Sequence, residues 1–185
     1  DLPAGPAALR VQPLSAAGEP LGEAATLGAV EIVAIDRLFS LPADVGRSIS
    51  AEFGETLALA GVRLPETAVA AGSRVPITLT WRVAQRPAVL LSVFVHVVGA
   101  DGQNVAQSDQ WPGGLPANTR VAGEVVVDAH AIDLPPDLPP GSYRLAVGVY
   151  AVQGGARLPA AAADVTAVDD NRVFLPWTLT VTGDE

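Results

Sequence analysis

Leu91-Ser92-Val93-Phe94-Val95-His96-Val97-Val98, then Gly99-Ala100-Asp101-Gly102, then Gln103-Asn104-Val105-Ala106-Gln107-Ser108-Asp109 is the stretch that decides the fold. Successive side chains of a strand point to opposite faces, so a period of two marks a strand. Here two such runs flank an Asp-Gly pair, the strongest short-range signal for a β-hairpin. The first run sends Val93, Val95 and Val97 to one face and Ser92, Phe94 and His96 to the other. In the second, Gln107 and Asp109 alternate together. A hairpin sets them opposite His96, with Cβ atoms within about 5 Å.

The same alternation recurs along the chain. It predicts strands at 30–35, 48–53, 56–64, 75–83, 90–98, 104–110, 123–128, 142–150 and 174–181. Ile77, Leu79 and Trp81 share a face opposite Thr78, Thr80 and Arg82. Tyr143, Leu145, Val147 and Val149 oppose Arg144, Ala146, Gly148 and Tyr150, and Leu175, Trp177, Leu179 and Val181 oppose Thr178 and Thr180. Sixteen prolines and eighteen glycines punctuate these runs and leave no long helical period. Pro176 predicts an edge or a bulge, because proline cannot donate to a ladder. The expected fold is all-β, an immunoglobulin-like antiparallel β-sandwich occupying residues 45–185. Residues 1–44 echo its end. Leu9-Arg10-Val11, Gly18-Glu19-Pro20-Leu21 and Val30-Glu31-Ile32 parallel Leu145-Ala146-Val147, Gly155-Ala156-Arg157-Leu158 and the run ending at Val181. They are either the last hairpin of an upstream copy or extra strands of this sandwich.

Composition narrows the function. At 185 residues with 49% hydrophobic content, the chain can bury a full core. A net charge of −9, with eleven arginines and no lysine, offers no basic patch for a nucleic-acid backbone. The absence of cysteine excludes disulfides, thiolate metal sites and thiol catalysis. The absence of methionine marks the chain as a fragment or processed product, and no apolar run reaches membrane-span length.

Three constellations could carry chemistry. His96 with Gln107 and Asp109 could hold a tautomer or bind a sugar hydroxyl, or simply fix strand register. Trp111, beside Asp109 and before Pro112-Gly113-Gly114, is placed on a loop where a ring can stack on a sugar or fold back over the sandwich end. The acidic residues Asp101, Asp109, Asp128, Asp133, Asp164, Asp169 and Asp170 match no calcium-loop spacing, so no metal and no other cofactor is expected. No nucleophile motif or phosphate loop occurs. Two carboxylates such as Asp109 and Asp128 could in principle act on a glycoside. The candidate ligand-binding residues are therefore His96, Gln107, Asp109, Trp111 and Asp128, with no catalytic residue assigned.

Taken in order, several motifs carry a resemblance. They are Leu79-Thr80-Trp81, Val93-Phe94-Val95-His96, Asp101-Gly102, Gln107-Ser108-Asp109, Pro112, Gly123-Glu124-Val125-Val126-Val127-Asp128, Leu138-Pro139-Pro140-Gly141-Ser142-Tyr143-Arg144-Leu145, Val147-Gly148-Val149-Tyr150 and Arg157-Leu158-Pro159. The run resembles the C-terminal β-sandwich module of bacterial, Chloroflexi-like, membrane glycosyltransferase proteins of the protein mannosyltransferase type, over residues 57–181. Arg37-Leu38-Phe39 with Leu41-Pro42 resembles the linker between tandem copies. Asn118-Thr119-Arg120-Val121 stands where that pattern has a tryptophan. The resemblance implies an extracytoplasmic, non-catalytic accessory module, anchored through an upstream membrane region. Its expected partners are that membrane domain and a glycan or lipid-linked saccharide. The alternative is a purely structural or protein-interaction sandwich with no ligand.

Overall fold

The computed structural model describes residues 4–163 and 167–183. The chain divides into two compact units, Asp1–Asp36 and Arg37–Glu185. The division falls before residue 44 because Arg37 and Leu38 bond within the second unit. Arg37 ion-pairs with Glu124, and the Leu38 carbonyl accepts the Val125 N–H at 2.7 Å. The first unit is an antiparallel pair, β1 (Gly5–Val11) with β2 (Ala25–Ile32).

The second unit carries β3 (Arg47–Phe53), β4 (Leu57–Arg63), β5 (Ala68–Ala70), β6 (Arg74–Val83), β7 (Leu91–Val98), β8 (Asn104–Gln110), β9 (Val125–Asp133), β10 (Gly141–Ala151), β11 (Ala160–Ala162), β12 (Ala167–Asp169) and β13 (Arg172–Thr182). They form two sheets, β11-β3-β4-β6-β9 and β12-β13-β10-β7-β8, with β5 pairing the far end of β13. All these pairings are antiparallel except β5 with β13. The chain is thus the expected all-β sandwich. Among the described residues no helix is long and apolar enough to cross a membrane.

The alternation read from the sequence points each apolar set inward. Leu57, Leu59, Ile77, Leu79 and Trp81 of one sheet meet Leu91, Val93, Val95, Val97, Tyr143, Leu145, Val147, Val149 and Leu179 of the other in a single buried cluster. Each fully buried Val or Leu contributes about 1.5–3 kcal/mol relative to exposure. Phe53 packs edge-on against Trp81 at 5.5 Å. Trp177 is only partly buried on this core, with the Arg47 guanidinium 5.1 Å from its ring. The Tyr143 hydroxyl donates to the Pro139 carbonyl at 2.7 Å and pins the Leu138-Pro139-Pro140-Gly141 turn to the start of β10, the tyrosine-corner device of immunoglobulin-like sandwiches.

Two local expectations are refined. Pro176 lies in a bulge. Arg144 pairs with Thr178 and Ala146 with Phe174, so Leu145 alone faces residues 175–177. The Asp-Gly pair sits inside a longer loop. Val98 pairs with Asn104, the Gly99 N–H donates to the Gln103 carbonyl at 2.9 Å, and Gly102 takes φ 82°.

Candidate ligand face and a buried polar lock

β7 sends its four odd-numbered residues from Leu91 to Val97 into the core, so Ser92, Phe94 and His96 face outward. β8 pairs with it in a register that sets Asp109 opposite Phe94 and Gln107 opposite His96. On the other side, β10 sets Gly148 opposite Phe94 and Tyr150 opposite Ser92. This outer face has an aromatic floor. Phe94 and His96 stack with centroids 4.2 Å apart, and Tyr150 lies 6.2 Å from Phe94. Arg157 closes over Phe94 at 5.0 Å. Around the floor stand exposed polar groups: Gln107 donates to Asp109 at 3.1 Å, and the Tyr150 hydroxyl also bonds Asp109. Partial burial raises the Asp109 carboxyl above its ordinary value, opposed by those two donors. Trp111 continues the Gln107, Asp109 alternation by one step and is 42% exposed.

Three of the five candidate residues, His96, Gln107 and Asp109, therefore belong to one strand face, and Trp111 follows the end of β8. His96 is its floor and not a contact group, being 5% exposed, with Nδ1 accepting the Asn104 amide at 3.0 Å. Burial, then the Arg157 and Arg172 charges, push its pKa down to about 4. The unfolded imidazole titrates near 6.5. Below that pH the unfolded chain takes up a proton that the folded chain refuses, so stability falls from pH 6.5 toward 4 and is unaffected above. The melting temperature is expected to drop between pH 7 and 5 in the parent protein and much less in His96→Gln. Equal slopes in the two proteins would refute this.

Asp128 is the correction. It lies on the inward face of β9, wholly buried, and its carboxylate is fully engaged. Oδ1 accepts Gln110 Nε2 at 2.7 Å and the Gly113 N–H at 2.9 Å; Oδ2 accepts the Trp81 indole at 3.2 Å and His130 Nε2 at 3.1 Å. His130 Nδ1 bonds the Ser108 hydroxyl at 3.0 Å. Ser108, His130 and Asp128 thus stand in the bonding order of a hydrolytic triad. The imidazole and carboxylate are both completely buried between the sheets, so no substrate atom can reach them. Their geometry ties the edge strand β8 to the edge strand β9, with Gln110 adding a bond to the Ala129 carbonyl at 2.9 Å. Buried in this way, Asp128 cannot pair with Asp109 across a glycosidic bond.

A second buried cluster lies beside Trp111. Glu124, 1% exposed, takes bonds from Arg120, the Val121 N–H and Arg37. Burial alone would raise its carboxyl, but these donors outweigh it and hold it below the ordinary 4.5. Arg120 also donates to the Pro112 carbonyl at 2.5 Å, fixing the loop after Trp111. The residues that replace the tryptophan of the resembled pattern are thus loop clamps. The late acidic residues are also engaged: Asp169 pairs with Arg172 and Asp170 with Arg157. Asp164 lies outside the described residues.

The geometry defines an all-β sandwich with one polar, aromatic-floored sheet face. No protein-family model matches the chain, and no curated protein matches it in sequence. Solved structures do match in fold. One is described as the crystal structure of the C-terminal domain of Wzt, 12% identical, with a TM-score of 0.50 over 75% of this chain and 84% of that one. At that identity the likeness establishes the sandwich fold.

Proposed function

We propose that the sandwich is a non-catalytic accessory module that binds glycan, held outside the membrane on a membrane glycosyltransferase-like protein. The observation that carries the glycan reading is the outer face of β8-β7-β10. Saccharides are recognised by ring faces packed on apolar groups and by hydroxyls bonded to fixed donors and acceptors. Tyr150 supplies a ring at the edge of the Phe94–His96 floor, and the exposed Trp111 follows the end of β8. Asp109, Gln107 and the Tyr150 hydroxyl supply a bonded array of acceptors and donors. Burial of both histidines supports the absence of catalysis. The order of motifs supports the extracytoplasmic attachment, and the fold shared with another protein's C-terminal domain supports an appended module.

The test is an NMR titration against fragments of bacterial polysaccharide and lipid-linked saccharide headgroups. Shifts are expected on Gln107, Asp109, Trp111 and Tyr150. Asp109→Ala and Tyr150→Phe should each weaken binding by about tenfold, one lost hydrogen bond to ligand. A saccharide panel that moves none of these resonances would sink the reading and leave a structural module without a ligand.

A further inference from the structure

The β1–β2 pair of the first unit follows the register of the β10–β13 pair on both sides of a bulge. Gly5 pairs with Ile32 as Gly141 pairs with Val181; Ala7 with Val30 as Tyr143 with Leu179; Ala8 with Ala29 as Arg144 with Thr178. Both ladders are interrupted at the next leucine: Leu9 pairs with Gly28 before the single residue Leu27 is skipped, and Leu145 faces the larger bulge of residues 175–177. Arg10 then meets Thr26 and Val11 meets Ala25, as Ala146 meets Phe174 and Val147 meets Val173. The turns agree too. Leu14 bridges Pro20 as Tyr150 bridges Arg157. Ser15 N–H bonds the Glu19 carbonyl as Ala151 bonds Ala156, and Leu21 N–H bonds Pro13 as Leu158 bonds Val149. Gly18 and Gly154 share a positive φ, 84° and 86°.

Burial differs completely. Leu145, Val147 and Leu179 are 0% exposed, packed in the sandwich core. Their counterparts Leu9, Val11 and Val30 are 50%, 50% and 45% exposed. A two-stranded hairpin is at best marginally stable alone, and this one keeps a one-sided apolar pattern. On its other side Arg10 pairs with Thr26 and Glu31 with Pro6.

We propose that residues 5–32 are the closing hairpin of a second sandwich of this kind, and that their apolar face is the seat for that sandwich's remaining strands. What covers the face is given by the second unit: strands like β3, β4 and β6 lie across it, and a strand like β7 pairs along the outer edge of β1. The chain then carries the closing hairpin of one sandwich ahead of a second sandwich.

The experiment compares this chain with one carrying the residues encoded immediately upstream of Asp1. Amide exchange of Leu9, Val11, Val30 and Ile32 is expected to slow by roughly a hundredfold or more in the longer chain, reporting global rather than local opening. There Leu9→Asp should lower one melting transition and spare that of residues 37–185; in the shorter chain it should move nothing. Arg10→Ser, on the polar face, should be silent in both. If Leu9→Asp does not express, Leu9→Ala gives the same contrast at smaller amplitude. Unslowed exchange in the longer chain, or an upstream sequence without strand-forming alternation, would overturn the proposal.

Discussion

Asp128→Ala is expected to lower the melting temperature of the sandwich by about 10 °C or more. The substitution strips the acceptor from four donors at once: the Trp81 indole, His130 Nε2, Gln110 Nε2 and the Gly113 N–H. Breaking a buried charged network costs about 3–5 kcal/mol. A domain of this size shifts by about 2–4 °C for each kcal/mol. The loss is a large part of the roughly 5–15 kcal/mol that holds a domain together. Urea denaturation followed by Trp81 fluorescence measures it directly. Ser108→Ala removes one hydroxyl bond at the end of the same chain and should cost about 1 kcal/mol. A change under 2 °C in Asp128→Ala would mean that the network is not what joins the two sheets.

The second large effect belongs to Gly148→Ala. A Cβ built on Gly148 would stand 2.1 Å from Phe94 Cζ, inside any permissible contact. The ring cannot give way freely, because it is 1% exposed and stacked on His96. Overpacking of this kind costs about 1–3 kcal/mol. It also tips the floor of the proposed glycan face, so ligand affinity should fall with stability. The cycle with Phe94→Ala separates steric conflict from strand propensity. If the clash is the cause, the double variant is no less stable than Phe94→Ala alone, giving a strongly non-additive cycle. Additive losses would show that Gly148 matters for another reason.

Much of this was legible in the sequence, and the parts that were not share a cause. The strands of β6, β7, β10 and β13 announce themselves by alternation, since each has one face in the core. The same patterning sets Gln107 opposite His96 as expected, while the register puts Asp109 one pair further on, opposite Phe94. Whereas β9 runs on to Asp133, the alternation marks a strand only to Asp128. Beyond it the inward positions hold polar Asp128 and His130, and an apolar period cannot register them. Their partners, Ser108 and Gln110, come from the other sheet. The three-residue strands β5, β11 and β12 are too short to display a period. The Glu124 cluster has no local signature for its Arg37 partner, which reaches it across 87 residues of chain. Gly148 reads as an ordinary small residue until Phe94 is seen lying across it.

The bonds that join Ser108 and Gln110 to β9 act between two edge strands, the last strand of each sheet. An unpaired edge is a template for any other strand that meets it. Sandwiches strung on one chain meet one another at high effective concentration, and mispairing between neighbours is how repeat proteins fail to fold. By turning their polar groups toward each other, β8 and β9 deny those groups to a neighbour. In a chain that strung such sandwiches together, the same link within one sandwich would also keep it from pairing with the next.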